Sequence, residues 1–199
     1  MRSVTEAIRE DIEPRLRLHG FTGSPKNAIR RSQAGQVVLV ASVGGWRFNM
    51  GGKWGALTGV PPTFTLRFAL YAGRELASST RIPKTEVPIA ASLPLSFQTD
   101  RFARFDALGI APPAGSRAIS EALTMIDAAV AEAAPLATID DVWALVDGPR
   151  DAHLLPNEYG LLMLAAREKR VDICRRLVAT TRGDATVLRR AAASLGIDV

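Results

Sequence analysis

Apolar residues recur four apart at Val4, Ile8, Ile12 and Leu16, so the chain opens on a helix with one buried stripe. Ser3 and Glu6 have the spacing of a capping box at its start. Pro14 falls inside the stripe. It has no N–H and crowds the turn behind it, so it predicts a kink or a second short helix. Gly20 is the natural stop, and Phe21 then turns back toward the core.

Residues 27–52 read as a β-meander. Gln36 to Val43 is a nearly unbroken β-prone apolar run, the mark of a strand buried on both faces. Ala34-Gly35 before it is a tight turn, which makes Asn27 to Ser32 the hairpin partner. Gly44-Gly45 predicts a second hairpin turn. Beyond it, Trp46, Phe48 and Met50 point to one side while Arg47 and Asn49 point to the other. Phe64, Leu66, Phe68 and Leu70 alternate with Thr65, Arg67, Ala69 and Tyr71, a further strand. Strands joined by short turns imply an antiparallel sheet.

Residues 81–98 carry Pro83, Pro88 and Pro94 and fit an irregular or edge segment. A short helix is expected over Phe97 to Leu108, and Pro112-Pro113-Ala114-Gly115 reads as a linker. Ser116 then caps a long helix with the stripe Ile119, Leu123, Ile126 and Val130, which Pro135 closes. Thr138 and Asp141 bracket a short helix with Val142, Leu145 and Val146. The last fifty residues look helical. Asn157 is an N-cap, Leu161, Leu164 and Ala165 form one stripe, and Val171, Cys174, Leu177 and Val178 form a second. Thr186 to Leu195 is a third helical piece. The fold class is therefore α+β: an N-terminal helix packed on an antiparallel β-meander sheet, followed by a helical C-terminal section. The expected domains are 1–111 and 116–199, with the boundary at Pro112-Pro113.

Composition narrows the function classes. The 199 residues are 47% hydrophobic and 23% charged, which excludes wholesale disorder. No apolar run approaches the roughly 18 residues of a membrane-spanning helix, and the first residues have no signal-peptide core, so a cytoplasmic protein with no membrane partner is expected. One cysteine, Cys174, excludes an internal disulfide and a zinc site of several thiolates. The net charge is +5. Residues 1–100 hold thirteen basic and seven acidic side chains and the rest twelve and thirteen, so the excess lies entirely in the first half. Such a surface suits nucleic acid or an acidic partner.

Candidate chemistry is sparse. His19 sits at the end of the first helix, where a cation suits the dipole, and His153 lies in a loop near Asp151. Neither has a nucleophile at a telling spacing, and Gly-x-Ser-x-Gly is absent. Cys174 has Arg175 and Arg176 beside it, which favours a thiolate, but it falls on an apolar stripe and reads as a buried thiol. The loop from Gly51 to Gly59 has four glycines with Lys53 and Trp54, yet neither P-loop nor dinucleotide spacing. It reads as a hairpin connection or as a binding loop with Trp54 as aromatic anchor. Arg30, Arg31, Arg47, Lys53 and Arg67 lie on or near adjacent strands and, with Trp54, form the candidate binding face. No catalytic residue, metal site or cofactor is expected.

The helix, Gly20-Phe21, the basic strand, Gly35 to Val43, Phe48-Asn49 and the glycine-rich stretch together resemble the domain-of-unknown-function 4304 family of bacterial proteins. The resemblance covers the first third to half of the chain. It implies a small α+β domain with a helix on a meandering sheet, and a binding role of the immunity-protein or adaptor kind. Ala41-Ser42-Val43 departs from the glutamine-rich strand end of that family. At the C-terminus, Asn157-Glu158-Tyr159-Gly160, Leu164-Ala165-Ala166 and Val171-Asp172-Ile173 resemble one ankyrin-type helical hairpin. Together these readings lead to a non-catalytic protein-binding module with an acidic partner. The alternative is a nucleic-acid-binding protein that uses the same basic face.

Overall fold

The computed structural model describes residues 4–44, 63–91, 95–98, 113–147, 155–181 and 184–199. The first helix, α1, runs through Val4–Ala7, Ile8–Ile12 and Glu13–Leu18. Pro14 does not end it. Instead the turn before Pro14 widens, and the Glu13 N–H donates to the Ile8 carbonyl, five residues back. A wide turn accommodates the missing N–H and the ring at Pro14 without breaking the helix. Ile8, Ile12 and Leu16 stay buried, as the four-residue spacing predicts. At the end Gly20 takes φ +79°, and the Phe21 N–H reaches the Leu16 carbonyl at 3.0 Å. This is a Schellman stop, and the positive φ is why glycine stands there.

The strands are β1 (Ala28–Arg31), β2 (Val37–Gly44), β3 (Thr63–Ala72), β4 (Ala90–Ala91), β5 (Leu95–Gln98) and β6 (Leu155–Pro156). Their order is β1-β2-β3-β4-β6, and β5 also pairs with β3. The consecutive strands β1, β2 and β3 form the antiparallel meander. Gly35 turns the first hairpin at φ +70°, with the Ser32 N–H on the Val37 carbonyl. Val37 to Ala41 are all buried, as a strand covered on both faces requires. On β3, Leu66, Phe68, Leu70 and Ala72 are buried while Arg67 is exposed.

By its contacts the chain divides into two compact units. One comprises Met1–Arg30, Val40–Phe68 and Ser92–Glu132; the other comprises Arg31–Leu39, Ala69–Ala91 and Ala133–Val199. In the first, β5 pairs antiparallel with β3 (Phe64 opposite Phe97, Leu66 opposite Leu95), and the Phe21 and Phe68 rings meet at 6.5 Å. The helix α2 (Pro113–Ala133) buries Ile119, Ala122, Ile126 and Ala129. In the second, β4 pairs with β3 on one side and β6 on the other. The short helix α3 (Ile139–Val142) precedes α4 (Glu158–Arg167), α5 (Val171–Thr180) and α6 (Ala185–Ser194). Thr138 and Asp141 close the capping box that their spacing predicts, and Asn157 caps α4 by accepting from the Gly160 N–H.

Several sequence expectations need correction. Pro113, Ala114 and Gly115 belong to α2 rather than to a linker, so Ser116 is not its cap. Proline suits the first helical position, where its N–H would have no partner in any case. Phe97 and Gln98 lie in β5 rather than a helix, because pairing with β3 outweighs local preference; the rest of that stretch lies outside the described residues. Val171 is 37% exposed and Ile173 takes its place on the buried stripe of α5. The two-residue β6 stands just before the Asn157 cap, where no strand was expected. The second hairpin turn, from Gly45, and the Trp46–Met50 strand lie outside the described residues.

Candidate functional site

Three of the six residues of the expected binding face lie among the described residues. Arg30 is half-buried on β1 and Arg67 is exposed on β3, both in the first unit. Neither has an ion-pair partner among the described residues. Arg31, in the second unit, turns inward: its Nη1 donates to the Leu76 carbonyl at 2.9 Å, and its Nη2 is buried without a partner among the described residues. Arg47, Lys53 and Trp54 lie outside the described residues.

The histidine expectation sharpens in the first unit. His19 Nε2 is 2.7 Å from Oδ1 of Asp127 on α2, and the Arg15 Nε donates to the same oxygen at 2.8 Å. The Arg15 Nη2 completes a two-point grip on Oδ2. The hydrogen bond from Arg15, supported by His19, holds the Asp127 carboxyl below the usual carboxylate range. The trio therefore ties α1 to α2. His153 lies outside the described residues. Cys174 is fully buried, and burial, then Asp172, push its thiol up, so Arg175 and Arg176 do not activate it.

The second unit holds a cluster that sequence reasoning missed. Glu75, in the short turn Arg74–Ala77, and Glu86, in the irregular stretch before β4, both reach Arg167 at the end of α4. The Arg167 Nη1 is 2.9 Å from Oε1 of Glu75 and 2.5 Å from Oε1 of Glu86. The Glu86 side chain is 6% exposed and that of Glu75 44%. Burial pushes the Glu86 carboxyl up against the pull of Arg167, with Glu75 adding to the rise. Burial also opposes ionisation of Glu75, yet hydrogen bonds from its own backbone, Glu86 and Arg167 hold it below the usual range. Burial raises the Tyr71 phenol on β3, and the nearby Glu86 adds to that. Arg74 is occupied by Glu168, Nε to Oε2 at 2.9 Å. Partners some eighty or ninety residues apart leave no local signal in the sequence.

Among the described residues no group of three His, Cys, Asp or Glu side chains is placed to hold a metal ion, and no helix is long and apolar enough to cross a membrane. A comparison with family models finds no match, and comparisons with the curated proteins and with the solved structures find none either.

Proposed function

We propose that the chain is a non-catalytic protein-binding module, of the immunity or adaptor kind that the resemblance of its first half implies. Its basic strand residues meet an acidic surface on a partner protein. The observation that carries this reading is the division of labour among the arginines. Arg15, Arg17, Arg74, Arg167, Arg170 and Arg176 each pair with a carboxylate of the chain itself. Arg30 and Arg67, like the exposed Arg81, Arg175, Arg189 and Arg190 away from the strands, have no such partner among the described residues; Arg67 differs from those four in standing out from a strand whose alternate side chains form the core. An unneutralised cation on a rigid strand is a ready contact for a complementary acidic surface, and it governs encounter and specificity more than bulk affinity.

The same cations would serve a phosphate backbone, so the test separates the two partners. Fluorescence anisotropy of labelled single- and double-stranded DNA and RNA is titrated at low salt and at about 0.15 M salt. The reading predicts at most weak binding that vanishes at the higher salt, since a few phosphate contacts are rapidly lost to counterions. Micromolar or tighter binding that survives there would overturn it and give the face to nucleic acid.

A further inference from the structure

Two carboxyls and one guanidinium do not balance. If Glu75 and Glu86 were both ionised, Arg167 would leave a net negative charge at a place where the Glu86 side chain is only 6% exposed. Water reaches Glu75 and Arg167, which are 44% and 35% exposed, but hardly reaches Glu86, and an uncompensated buried carboxylate is costly. The neighbouring groups do not make up the difference. Arg74, next to Glu75, is held by Glu168 and lies within the field of Asp140. Tyr71, the titratable group that β3 brings to Glu86, is neutral when protonated and adds no positive charge. One proton held between the two carboxyls restores neutrality, since both reach the same nitrogen and each is a hydrogen-bond partner of the other.

We infer that Glu75, Glu86 and Arg167 form a proton-linked latch. It is closed when the carboxyl pair holds one proton and loosened when the second carboxylate ionises. The latch joins the C-terminal end of α4 to the stretch that leads into β4. At the other end of the same helix, the Asn157 N–H donates to the Ile89 carbonyl at 2.5 Å, and Gly160 lies against Pro88 and Ile89. The stretch ending at β4 is thus gripped at both ends of α4, and only one of the two grips depends on a proton.

The raised Glu86 contributes stability below its ordinary range, and that contribution is lost as pH rises through its folded value. The lowered Glu75 contributes above its ordinary range and loses its share as pH falls through its folded value. The latch is therefore firmest between the two.

Two measurements on the whole chain test this: NMR titration of the glutamate side-chain carboxyl carbons, and urea unfolding across a pH series for wild type and Glu86→Gln. The amide that this substitution introduces keeps a neutral donor for Glu75 and cannot ionise. The expected result is two separated steps, with Glu86 the later to lose its proton. Across that upper step the wild-type unfolding constant should rise by up to about tenfold per pH unit, as one linked proton allows, and Glu86→Gln should lack the rise. Glu75 and Glu86 titrating together in the ordinary range, or an unchanged pH slope in Glu86→Gln, would overturn the inference. Should the variant fail to fold, the titration of the wild type decides alone.

Discussion

Replacing Gly160 by alanine probes how α4 is seated. A Cβ at that position would lie 2.4 Å from the Pro88 carbonyl oxygen and 2.9 Å from the Ile89 Cα. Both are backbone atoms, and ordinary contact begins near 3.4 Å, so one side must withdraw by about 1 Å. The stretch has little freedom to do so. The Ile89 N–H is bonded to the Leu70 carbonyl at 2.7 Å and its carbonyl to the Asn157 N–H at 2.5 Å. Ala90 is also paired with Leu70 on one side and Pro156 on the other. Overpacking of this kind costs about 1–3 kcal/mol. Alanine returns at most about 1 kcal/mol of helix propensity, and less in the first turn, where Gly160 lies. The net expectation is a loss of about 1–2 kcal/mol. Equilibrium urea unfolding of wild type and Gly160→Ala reads it as a lower midpoint at an unchanged slope. A variant as stable as wild type would show that the helix does not approach this backbone so closely.

Three further outcomes follow from individual residues. Lys169 ends α4 at φ +57°, in the left-handed region, with the Arg170 N–H on the Ala165 carbonyl; Lys169→Gly should stabilise by about 0.5–1 kcal/mol in thermal unfolding, and no gain would refute the strain. Leu70 is fully buried on β3, so Leu70→Ala should cost about 2–5 kcal/mol, while Arg67→Ala on the same strand should stay within about 0.5; comparable losses would contradict the assigned faces. Asp127 contributes stability above the ordinary carboxylate range and loses it as pH falls through its lowered folded value, so acid unfolding of Asp127→Asn should have a shallower pH dependence than wild type; an equal slope would mean that Arg15 and His19 do not hold the carboxylate.

The fold was legible wherever local chemistry settles the backbone. The Gly20 stop, the Gly35 turn, the Thr138–Asp141 box and the Asn157 cap all depend on groups within five residues of one another. The alternation on β3 survives because a single strand decides it. Failures came where distant pairing decides. β5 exists through its register with β3, and β4 and β6 are only two residues long, too short for any period. The candidate sites divide the same way. A buried Cys174 was readable from its stripe, but the inward turn of Arg31 was not, because it depends on a carbonyl 45 residues away. The Glu75–Glu86–Arg167 cluster has the same origin, with Glu86 reading as an ordinary polar residue among prolines until α4 brings Arg167 to it.

The central claim is that Arg30 and Arg67, strand cations with no carboxylate partner among the described residues, meet another protein. Site-specific photo-cross-linking tests it most directly, with a photoreactive residue placed in the whole chain at position 67 and, as a control, at the exposed Arg189 of α6. Cross-links are formed in living cells and analysed by mass spectrometry. The account predicts one protein with an acidic surface, captured from position 67 and not from position 189, and lost when Arg30→Glu is added. Capture of nucleic acid from position 67, or the same set of proteins from both positions, would contradict it.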